Sequence, residues 1–345
     1  SRMPCSAVNE PGALHGKTLQ RRRRALQIGF FALFLLAPAL NLLRFDLHEA
    51  QLWFLGQRWS LGIDAFRAGQ ITANEVALSI VLRGILPALA LVIGFMYVAY
   101  RWGRLYCGWL CPHFSLVEGL NALLARASGK LSLWDREPLP GAQPHKRWWP
   151  AFIATALLFG FVWAITLLTY LLPPREIWGG LLSASLTPNQ ARFLFIAWAV
   201  ISAELLFARH LFCRFGCAVG FFQSLAWMAN PKALVVSFAR PRAAECRGCE
   251  PQADACEHAC PMRLRPRQIK RLMFSCVQCG QCLQACEGSH EQRGGKPNLV
   301  WTVGVDALRE TLKQRKEQSM NQPPVSLRSP PPGGAPSSFG AAVRS

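Results

Sequence analysis

Twelve of the thirteen cysteines in this chain fall into four tight groups, and thiols at such short spacings are typical metal ligands. The most regular group reads CVQCGQCLQAC and contains Cys276, Cys279, Cys282 and Cys286. Its C-x2-C-x2-C-x3-C spacing wraps three thiolates around one [4Fe–4S] cube and sends the fourth thiolate to a neighbouring cube. The group therefore predicts an iron–sulfur site that needs a second set of cysteines.

A second set precedes it in the same polar, basic stretch. It reads CRGCEPQADACEHACP, has six residues where the regular motif has two, and contains Cys246, Cys249, Cys256 and Cys260. We expect two [4Fe–4S] clusters with crossed ligation. One cluster would take Cys246, Cys249, Cys256 and Cys286, and the other would take Cys276, Cys279, Cys282 and Cys260. Zinc stays open as an alternative, because a zinc site also accepts CxxC and CxxxC spacing.

The remaining grouped cysteines form two similar pairs. RLYCGWLCP holds Cys107 and Cys111, FCRFGC holds Cys213 and Cys217, and each pair follows an apolar run. Cysteines at i and i+4 share one face of a helix, so two such helices could bring four thiols to one point. We interpret these four thiols as a redox or metal site, for which soft thiolates favour Cu(I), zinc or an iron–sulfur unit. The alternative is that they only fill the packing between helices.

Four apolar stretches are candidates to cross a bilayer, which takes roughly 20 helical residues. They are 25–43, 84–100, 149–172 and 193–208. Lys and Arg concentrate before the first stretch, between the second and third, and after the fourth. This distribution predicts that both termini and both cysteine pairs are cytoplasmic. The net charge of +19 then mostly reflects the basic loops on the cytoplasmic side of the membrane, and a nucleic-acid partner is not expected.

One acidic residue, Glu204, lies inside the fourth apolar stretch, where an ionisable side chain is costly. We interpret Glu204 as a proton-transfer or quinone-site residue, with a hydrogen bond inside the bundle as the alternative. Helical rise places Arg83 near the outer end, too far away to be its partner. His113 and His210 lie beside the cysteine pairs and could ligate metal, although a surface or packing role is the simpler expectation.

The expected architecture is mainly α, a polytopic four-helix membrane bundle with a small α+β two-cluster ferredoxin domain of the bacterial type. Beyond residue 304 we expect a short helix over 305–318 and a tail too rich in Pro, Gly and Ser to fold. The predicted parts are a cytoplasmic N-terminal segment, the four-span domain, the ferredoxin domain and the helix with its tail, at 1–24, 25–235, 236–304 and 305–345. No nucleophile–base pair, phosphate loop or nucleotide fingerprint occurs in the sequence, so hydrolytic and nucleotide chemistry have no support.

Taken together, the motifs resemble the membrane polyferredoxins of the FixG/RdxA/CcoG family, with NapH and NosR as more distant relatives. The resemblance rests on RLYCGWLCP, FCRFGC, NPKALVVSFARPR and CVQCGQCLQACE, and it runs from about Arg21 to Val303. Ala218 departs from the family, whose second CxxxC motif usually continues with proline. The resemblance implies a bacterial inner membrane location, cytoplasmic clusters and a role in assembling a haem–copper oxidase by reducing copper for insertion.

We therefore expect an electron carrier that passes electrons between two [4Fe–4S] clusters and the membrane thiols, with copper at the thiol pairs. The expected partners are membrane lipid, an unidentified redox donor, and copper-delivery proteins, oxidase-assembly proteins or quinone. Copper-reductase and quinol-oxidising activities both remain open. Two other functions also remain open, a NapH-like quinol-linked carrier and a metal-binding assembly factor without redox turnover.

Overall fold

The computed structural model of this chain describes residues 16–49, 51–139, 142–249, 255–291 and 295–306, and the single positions 309, 312, 313 and 316. Most of the predicted helix over 305–318 lies outside the described residues. The predicted tail and most of the insertion between Cys249 and Cys256 also lie outside them. The described chain is mainly helical, in agreement with the expected fold class.

The helices are α1 Gly16–Leu36, α2 Ile63–Arg67, α3 Ala73–Trp102, α4 Leu105–Trp109, α5 Pro112–Ser128, α6 Trp148–Leu171, α7 Pro174–Leu182, α8 Pro188–Ala208, α9 Ala218–Ala229, α10 Ala255–His258 and α11 Gln281–Glu291. Short 3₁₀ segments cover Arg240–Gly248 and Lys270–Met273. The strands are β1 Leu43–Asp46, β2 Gln51–Phe54, β3 Gln57–Trp59, β4 Leu234–Phe238 and β5 Leu299–Val303. Strands β1 to β3 form one antiparallel sheet, and β4 pairs antiparallel with β5, from Leu234 opposite Val303 to Phe238 opposite Leu299.

Three helices of the described chain are long and apolar enough to cross a membrane, namely α3, α6 and α8. The remaining predicted span, the stretch 25–43, is therefore not confirmed. Helix α1 ends at Leu36, and the chain then turns through 37–42 around Pro38. Only about twelve residues of α1 follow its four arginines, which is about 18 Å of helix against a hydrocarbon core of about 30 Å.

The last turns of helix α1 nevertheless pack against α6. Phe31 meets Phe159 edge to face with ring centroids 5.9 Å apart, and Phe34 stacks on Tyr170 at 5.4 Å. The Tyr170 hydroxyl also donates a hydrogen bond of 2.9 Å to the Phe34 carbonyl. Helix α1 therefore lies side by side with the candidate spans, although its first half is basic and packs against protein.

The two cysteine pairs occupy equivalent positions in a repeated backbone pattern. In each unit a long apolar helix, α3 or α8, breaks at a residue with positive φ, Gly103 at 74° or Arg209 at 42°. The first cysteine follows four residues later, and an amphipathic or apolar helix, α5 or α9, begins directly after the second cysteine. An arginine in this conformation is strained, and the Arg209 side chain is held by burial and by a 3.0 Å hydrogen bond to Asn121. We call the end of the helices that carries the cysteine pairs the thiol end.

Two hydrophobic clusters hold the thiol end together. Helix α5 lies with one apolar face on α6 and α8, and the buried members of this contact are Leu116, Val117, Leu120, Leu124, Phe152, Ala156 and Leu205. A second cluster joins the membrane cysteines Cys107 and Cys213 to residues of the cysteine-rich region, including Met262, Val277 and Cys279. The cysteine-rich region therefore packs directly on the thiol end through a shared apolar core.

Candidate metal centres

The first cavity of the cysteine-rich region is lined by four cysteines from both of its motifs. They are Cys246, Cys249, Cys256 and Cys286. The cavity is small, with a volume of about 10 Å³, and has a mostly apolar wall that includes Phe238 and Leu299. This is the set that crossed ligation predicts for one cluster, because Cys286 comes from the other motif.

The second cavity is lined by the complementary set, Cys260, Cys276, Cys279 and Cys282. Its volume of about 20 Å³ is as small as that of the first cavity. Here Cys260 is the residue contributed by the other motif. The structure thus brings all eight cysteines together in two sets of four, in the crossed order.

Both sets are suited to a cluster rather than to a single ion. Four thiolates on one zinc ion lie about 3.8 Å apart, because each Zn–S bond is about 2.3 Å long and the geometry is tetrahedral. Among the described residues, no three His, Cys, Asp or Glu side chains converge closely enough to hold one metal ion. The cysteines instead line two cavities in sets of four, and four thiolates are the ligand set of a [4Fe–4S] cube.

The surroundings supply backbone donors to some of these sulfurs and little water. The backbone N–H of Asn298 donates to Cys286 Sγ at 3.3 Å, and that of Leu264 donates to Cys260 Sγ at 3.4 Å. Such hydrogen bonds help to set the potential of an iron–sulfur centre. Burial raises the pKa of the Cys256, Cys276 and Cys279 thiols to about 12. Metal must therefore displace protons from these thiols when it binds.

The four membrane cysteines, Cys107, Cys111, Cys213 and Cys217, are called the membrane thiol set below. Cys107 and Cys213 are buried in one hydrophobic cluster, with Cys111 packed against it. Burial, with smaller contributions from negative charge on Cys107 and Cys217, raises the pKa of Cys111 to about 11. The shared cluster places the first cysteines of the two pairs close together.

Arg104 is the cation of this site. It is 1% exposed, and its Nη2 donates a 2.7 Å hydrogen bond to the Cys213 carbonyl. Its charge opposes the rise that burial causes in the pKa of three thiols, Cys107, Cys213 and Cys276. The guanidinium thus acts on thiols of both the membrane thiol set and the second cavity. Its Nε is buried and has no hydrogen-bond partner among the described residues.

Glu204 has a partner that the sequence did not indicate. Its Oε2 lies 2.8 Å from His113 Nε2, and His113 Nδ1 lies 3.5 Å from Cys213 Sγ. The chain Cys213–His113–Glu204 connects a thiol to the intramembrane carboxylate. This hydrogen bond within the bundle is the alternative that the sequence left open for Glu204. His210 is also buried, and burial lowers its pKa to about 4, so it stays neutral near pH 7.

Three hydrogen bonds join helix α4, helix α1 and the cysteine-rich region to one another. Trp109 Nε1 donates to the Gln278 carbonyl at 2.9 Å. From helix α1, Gln20 Nε2 donates to the Cys279 carbonyl at 2.9 Å, and Arg23 Nη1 donates to the Gly108 carbonyl at 2.8 Å. Helix α1 therefore fastens the loop that carries the second cysteine set to the helix that carries the first membrane pair.

A buried polar bridge completes this junction, formed by Arg23, Glu118 and Gln281. Arg23 is fully buried and forms a salt bridge with Glu118, and Gln281 donates a hydrogen bond to the same carboxylate. Sequence reasoning missed these residues because it treated Arg21 to Arg24 only as a topology signal. The available signal was helical spacing, since Gln20, Arg23 and Gln27 share one face of α1.

A large cavity of about 780 Å³ lies next to this bridge. Helices α1, α5 and α6 form most of its wall, and the cysteine-rich region closes it at Cys260 and Pro261. Apolar side chains dominate the wall, with Gln27, Glu118 and Gln281 among the polar groups. A cavity of about 300–1,000 Å³ with few polar groups is typical of a small-molecule site.

Comparison with known proteins assigns part of this chain to iron–sulfur chemistry. A 4Fe-4S binding domain matches residues 85–130 and 191–234. These two segments are the two repeat units that carry the membrane thiol set, and each begins at the same distance before its first cysteine. The eight cysteines of the two cavities lie outside the matched segments.

Two relatives of known name are similar to parts of the chain. YccM of Escherichia coli, whose name refers to electron transport, is 24% identical over 203 residues, which are 58% of this chain and 53% of YccM. The regulatory protein NosR of Pseudomonas aeruginosa is 31% identical over 160 residues, which are 45% of this chain and 20% of NosR. The chain therefore spans about half the length of one relative and a fifth of the other. No solved structure matches it.

These findings support a protein of the membrane polyferredoxin type, with an iron–sulfur domain and apolar helices that could span a membrane. The finer resemblance to the FixG/RdxA/CcoG family stays a prediction. A particular member is not singled out by the matches.

Proposed function

We propose that this chain is a membrane-bound iron–sulfur electron-transfer protein that passes electrons between two [4Fe–4S] clusters and the membrane thiol set. The observation that carries the proposal is the pair of cavities, each lined by four cysteines in the crossed order. The relationship to YccM, whose name refers to electron transport, supports it. A bound cluster would supply one-electron transfer at each cavity.

The chain's own residues provide the conditions for such transfer. The cysteines of both sets are buried or half-buried beside apolar side chains, which limits the access of water to the sulfurs. The loop carrying Cys276 and Cys279 lies on the helix that carries Cys107, so the second cavity and the membrane thiol set share one core. Hydrogen bonds from Trp109, Gln20 and Arg23 hold this contact in one geometry.

Chemical analysis of anaerobically purified protein tests this proposal. We expect at least eight irons per chain with an equivalent amount of sulfide, and visible absorption that bleaches on reduction and recovers on oxidation. Protein that contains zinc and lacks sulfide would contradict it and would favour a metal-binding assembly factor without redox turnover.

We propose copper ions as the acceptor, reduced for insertion into a haem–copper oxidase. Copper is then a substrate of the protein. The soft thiols at the thiol end support this proposal, because thiolates are preferred ligands of Cu(I). Chemically reduced protein should convert added Cu(II) to Cu(I), measured with a Cu(I)-specific chelator, and the Cys107→Ser/Cys111→Ser variant should lose this conversion. Equal rates in the two proteins would remove copper as the acceptor.

The quinol-linked alternative is favoured by the cavity beside Cys260. Its apolar wall faces helices of the membrane region, and its polar end adjoins the second cysteine set. A quinol there would be oxidised by losing two electrons, one at a time, and two protons. Reduction of the protein by a short-chain quinol, followed by its absorption, tests this alternative against the copper assay. The buried Glu204 remains our proposed proton-transfer residue, through its contact with His113.

We also propose that both termini, the thiol end and the cysteine-rich region face the cytoplasm of a bacterial inner membrane. The support is the distribution of Lys and Arg, which are few in the loop 173–192 (Arg175 and Arg192) and concentrate at the thiol end. Reporter fusions after residues 60 and 182 should be external, and a fusion after residue 235 should be internal. The reverse pattern would contradict the orientation.

A further inference from the structure

Helix α9 buries polar side chains and exposes apolar ones. Its buried side chains include Gln223 and Ser224, whereas its exposed large side chains are all apolar, namely Val219, Phe221, Phe222 and Leu225. We propose that this face, together with Ile269 and Leu272 of the cysteine-rich region, lies in the headgroup layer of the membrane and binds a bilayer surface with anionic lipids. We call these six residues the lipid-facing surface. The inference goes beyond the proposed electron transfer, because it gives the cysteine-rich region a membrane contact of its own.

The equivalent helix of the other repeat unit is covered by protein. Helix α5 buries Leu116, Val117 and Leu120 against α6 and α8, and α1 lies on it through the salt bridge between Arg23 and Glu118. No described helix covers the outer face of α9 in the same way, and its apolar side chains stay exposed. A large exposed apolar patch is typical of a contact with a membrane or another protein.

Aromatic side chains at the end of α3 place α9 at the membrane boundary. Helix α3 is a candidate span of which only 6% of the apolar stretch is buried, so most of its surface faces lipid. Its last turns expose Tyr97, Tyr100 and Trp102, and Tyr and Trp are enriched where a membrane meets water. Helix α9 packs on α3 and ends at this level, because Asn230 Nδ2 donates a 2.9 Å hydrogen bond to the Tyr100 carbonyl. The exposed face of α9 therefore lies beside the lipid-exposed surface of α3.

Segment 269–274 of the cysteine-rich region lies directly on α9. Phe274 and Phe221 are in contact, with ring centroids 6.0 Å apart. Lys270 Nζ donates hydrogen bonds of 2.7 Å and 2.6 Å to the carbonyls of Trp227 and Asn230 at the end of α9. These contacts fix the segment beside the apolar face of the helix.

The same segment has an inner and an outer side. Side chains three residues apart in a 3₁₀ turn point in the same direction. Lys270 and Met273 face the protein, and Met273 lines the second cavity. Ile269 and Leu272 are more than half exposed. A membrane contact at Ile269 and Leu272 therefore borders the second cysteine set.

The charge of the flanking chain favours anionic lipid over a second copy of this protein. The stretches 209–232 and 262–275 contain eight Lys and Arg and no Asp or Glu. Arg271 is exposed beside Leu272, and the Arg214 guanidinium lies 5.1 Å from the centroid of the exposed Phe215 ring. Lys and Arg near a membrane surface are attracted to anionic headgroups. A symmetric dimer on this face would instead bring two basic surfaces together.

Photo-crosslinking of the full-length protein in lipid nanodiscs tests the inference. The crosslinking residue p-benzoyl-phenylalanine replaces Phe222 in one variant and Leu272 in another. The matched control carries it at Val300, which is also exposed but lies on β5 opposite Ser237 of β4. We expect lipid adducts, detected by mass spectrometry of the chain, at positions 222 and 272 and none at position 300. Leu225 is a second position on the same face of α9, for use if the variant at 222 does not accumulate.

Other crosslinks would overturn the inference. A product of twice the chain mass would show that a second copy covers the face, and a crosslink to another part of the same chain would show that the protein covers it itself. Equal lipid adducts at all three positions would show that the contact is unspecific. Iron content and visible absorption are measured in every variant, so protein that keeps its clusters and forms no lipid adduct would overturn this inference and leave the electron-transfer function intact.

A second measurement tests the preference for anionic lipid. Nanodiscs of phosphatidylcholine alone are compared with nanodiscs that also contain phosphatidylglycerol, and the anionic lipid should raise the yield of adduct at position 272. Arg271→Gln should reduce this gain, because it removes a positive charge beside the crosslinking residue, and Arg271→Lys should keep it. Equal yields in the two kinds of nanodisc would overturn the preference for anionic headgroups.

Discussion

Gly108 of helix α4 is in backbone contact with Val277 of the cysteine-rich region. A Cβ at Gly108 would lie 2.1 Å from the Val277 carbonyl oxygen, closer than any side chain could be accommodated without movement of the main chain. Gly108 follows Cys107, and Val277 lies between Cys276 and Cys279. The absence of a side chain at one position thus allows the second cysteine set to lie directly on the membrane thiols.

Gly108→Ala should weaken this junction, because the added methyl group must displace backbone. We expect a loss of about 1–3 kcal/mol in stability, measured by thermal or denaturant unfolding in detergent, together with slower electron exchange between the cysteine-rich region and the thiol end. Gly119→Ala is the matched control, since a Cβ there meets nothing within 4 Å. Equal stability of the two variants would show that the contact is not required.

Glu118→Gln should destabilise the protein strongly, because it leaves the fully buried Arg23 without its negative partner. Breaking one side of a buried ion pair costs about 3–5 kcal/mol. The exposed pair Arg58–Glu49 provides the comparison, and Glu49→Gln should cost about 0–1 kcal/mol. Unfolding of the three proteins side by side measures both effects. Similar losses in the two variants would mean that the bridge contributes no more than a surface pair.

The crossed ligation makes a specific prediction for Cys286. Although it belongs to the CVQCGQCLQAC motif, Cys286 lines the cavity of Cys246, Cys249 and Cys256. Cys286→Ser should therefore remove the same paramagnetic signal as Cys246→Ser, and Cys282→Ser should remove the signal that Cys260→Ser removes. If Cys286→Ser and Cys282→Ser removed the same signal, the cysteines would be grouped by motif, and the assignment of ligands would be wrong.

Gly119→Leu tests the cavity beside Cys260. Gly119 lines this cavity and has open space at its Cβ position, so a leucine would occupy cavity volume without a steric clash. If the cavity admits a quinol, this variant should raise the KM for a short-chain quinol about tenfold or more while iron content and stability stay unchanged. Gly94→Leu is the control, because Gly94 also has open space and lies outside the cavity wall. Equal KM values for both variants would remove this cavity as the quinol site.

Sequence alone was sufficient for the features that depend on local spacing. The CVQCGQCLQAC run predicts cluster ligands because a cube takes thiolates at short, regular intervals. Likewise the apolar runs over 84–100, 149–172 and 193–208 became helices long enough to span a membrane, because length and hydropathy are local properties. The stretch 25–43 does not form a helix that is long and apolar enough, because helix α1 is basic in its first half and ends at Leu36.

Tertiary structure decided how distant residues meet. In sequence, Arg21 to Arg24 look alike, yet only Arg23 is buried, and the other three are exposed. The helical period directs Gln20, Arg23 and Gln27 towards α4, α5 and the cysteine-rich loop, and their partners lie far along the chain. The same is true of Glu204 with His113 and of Arg104 with Cys213. Such contacts follow from how helices pack, and packing depends on the shapes of many side chains at once, so no short sequence pattern records them.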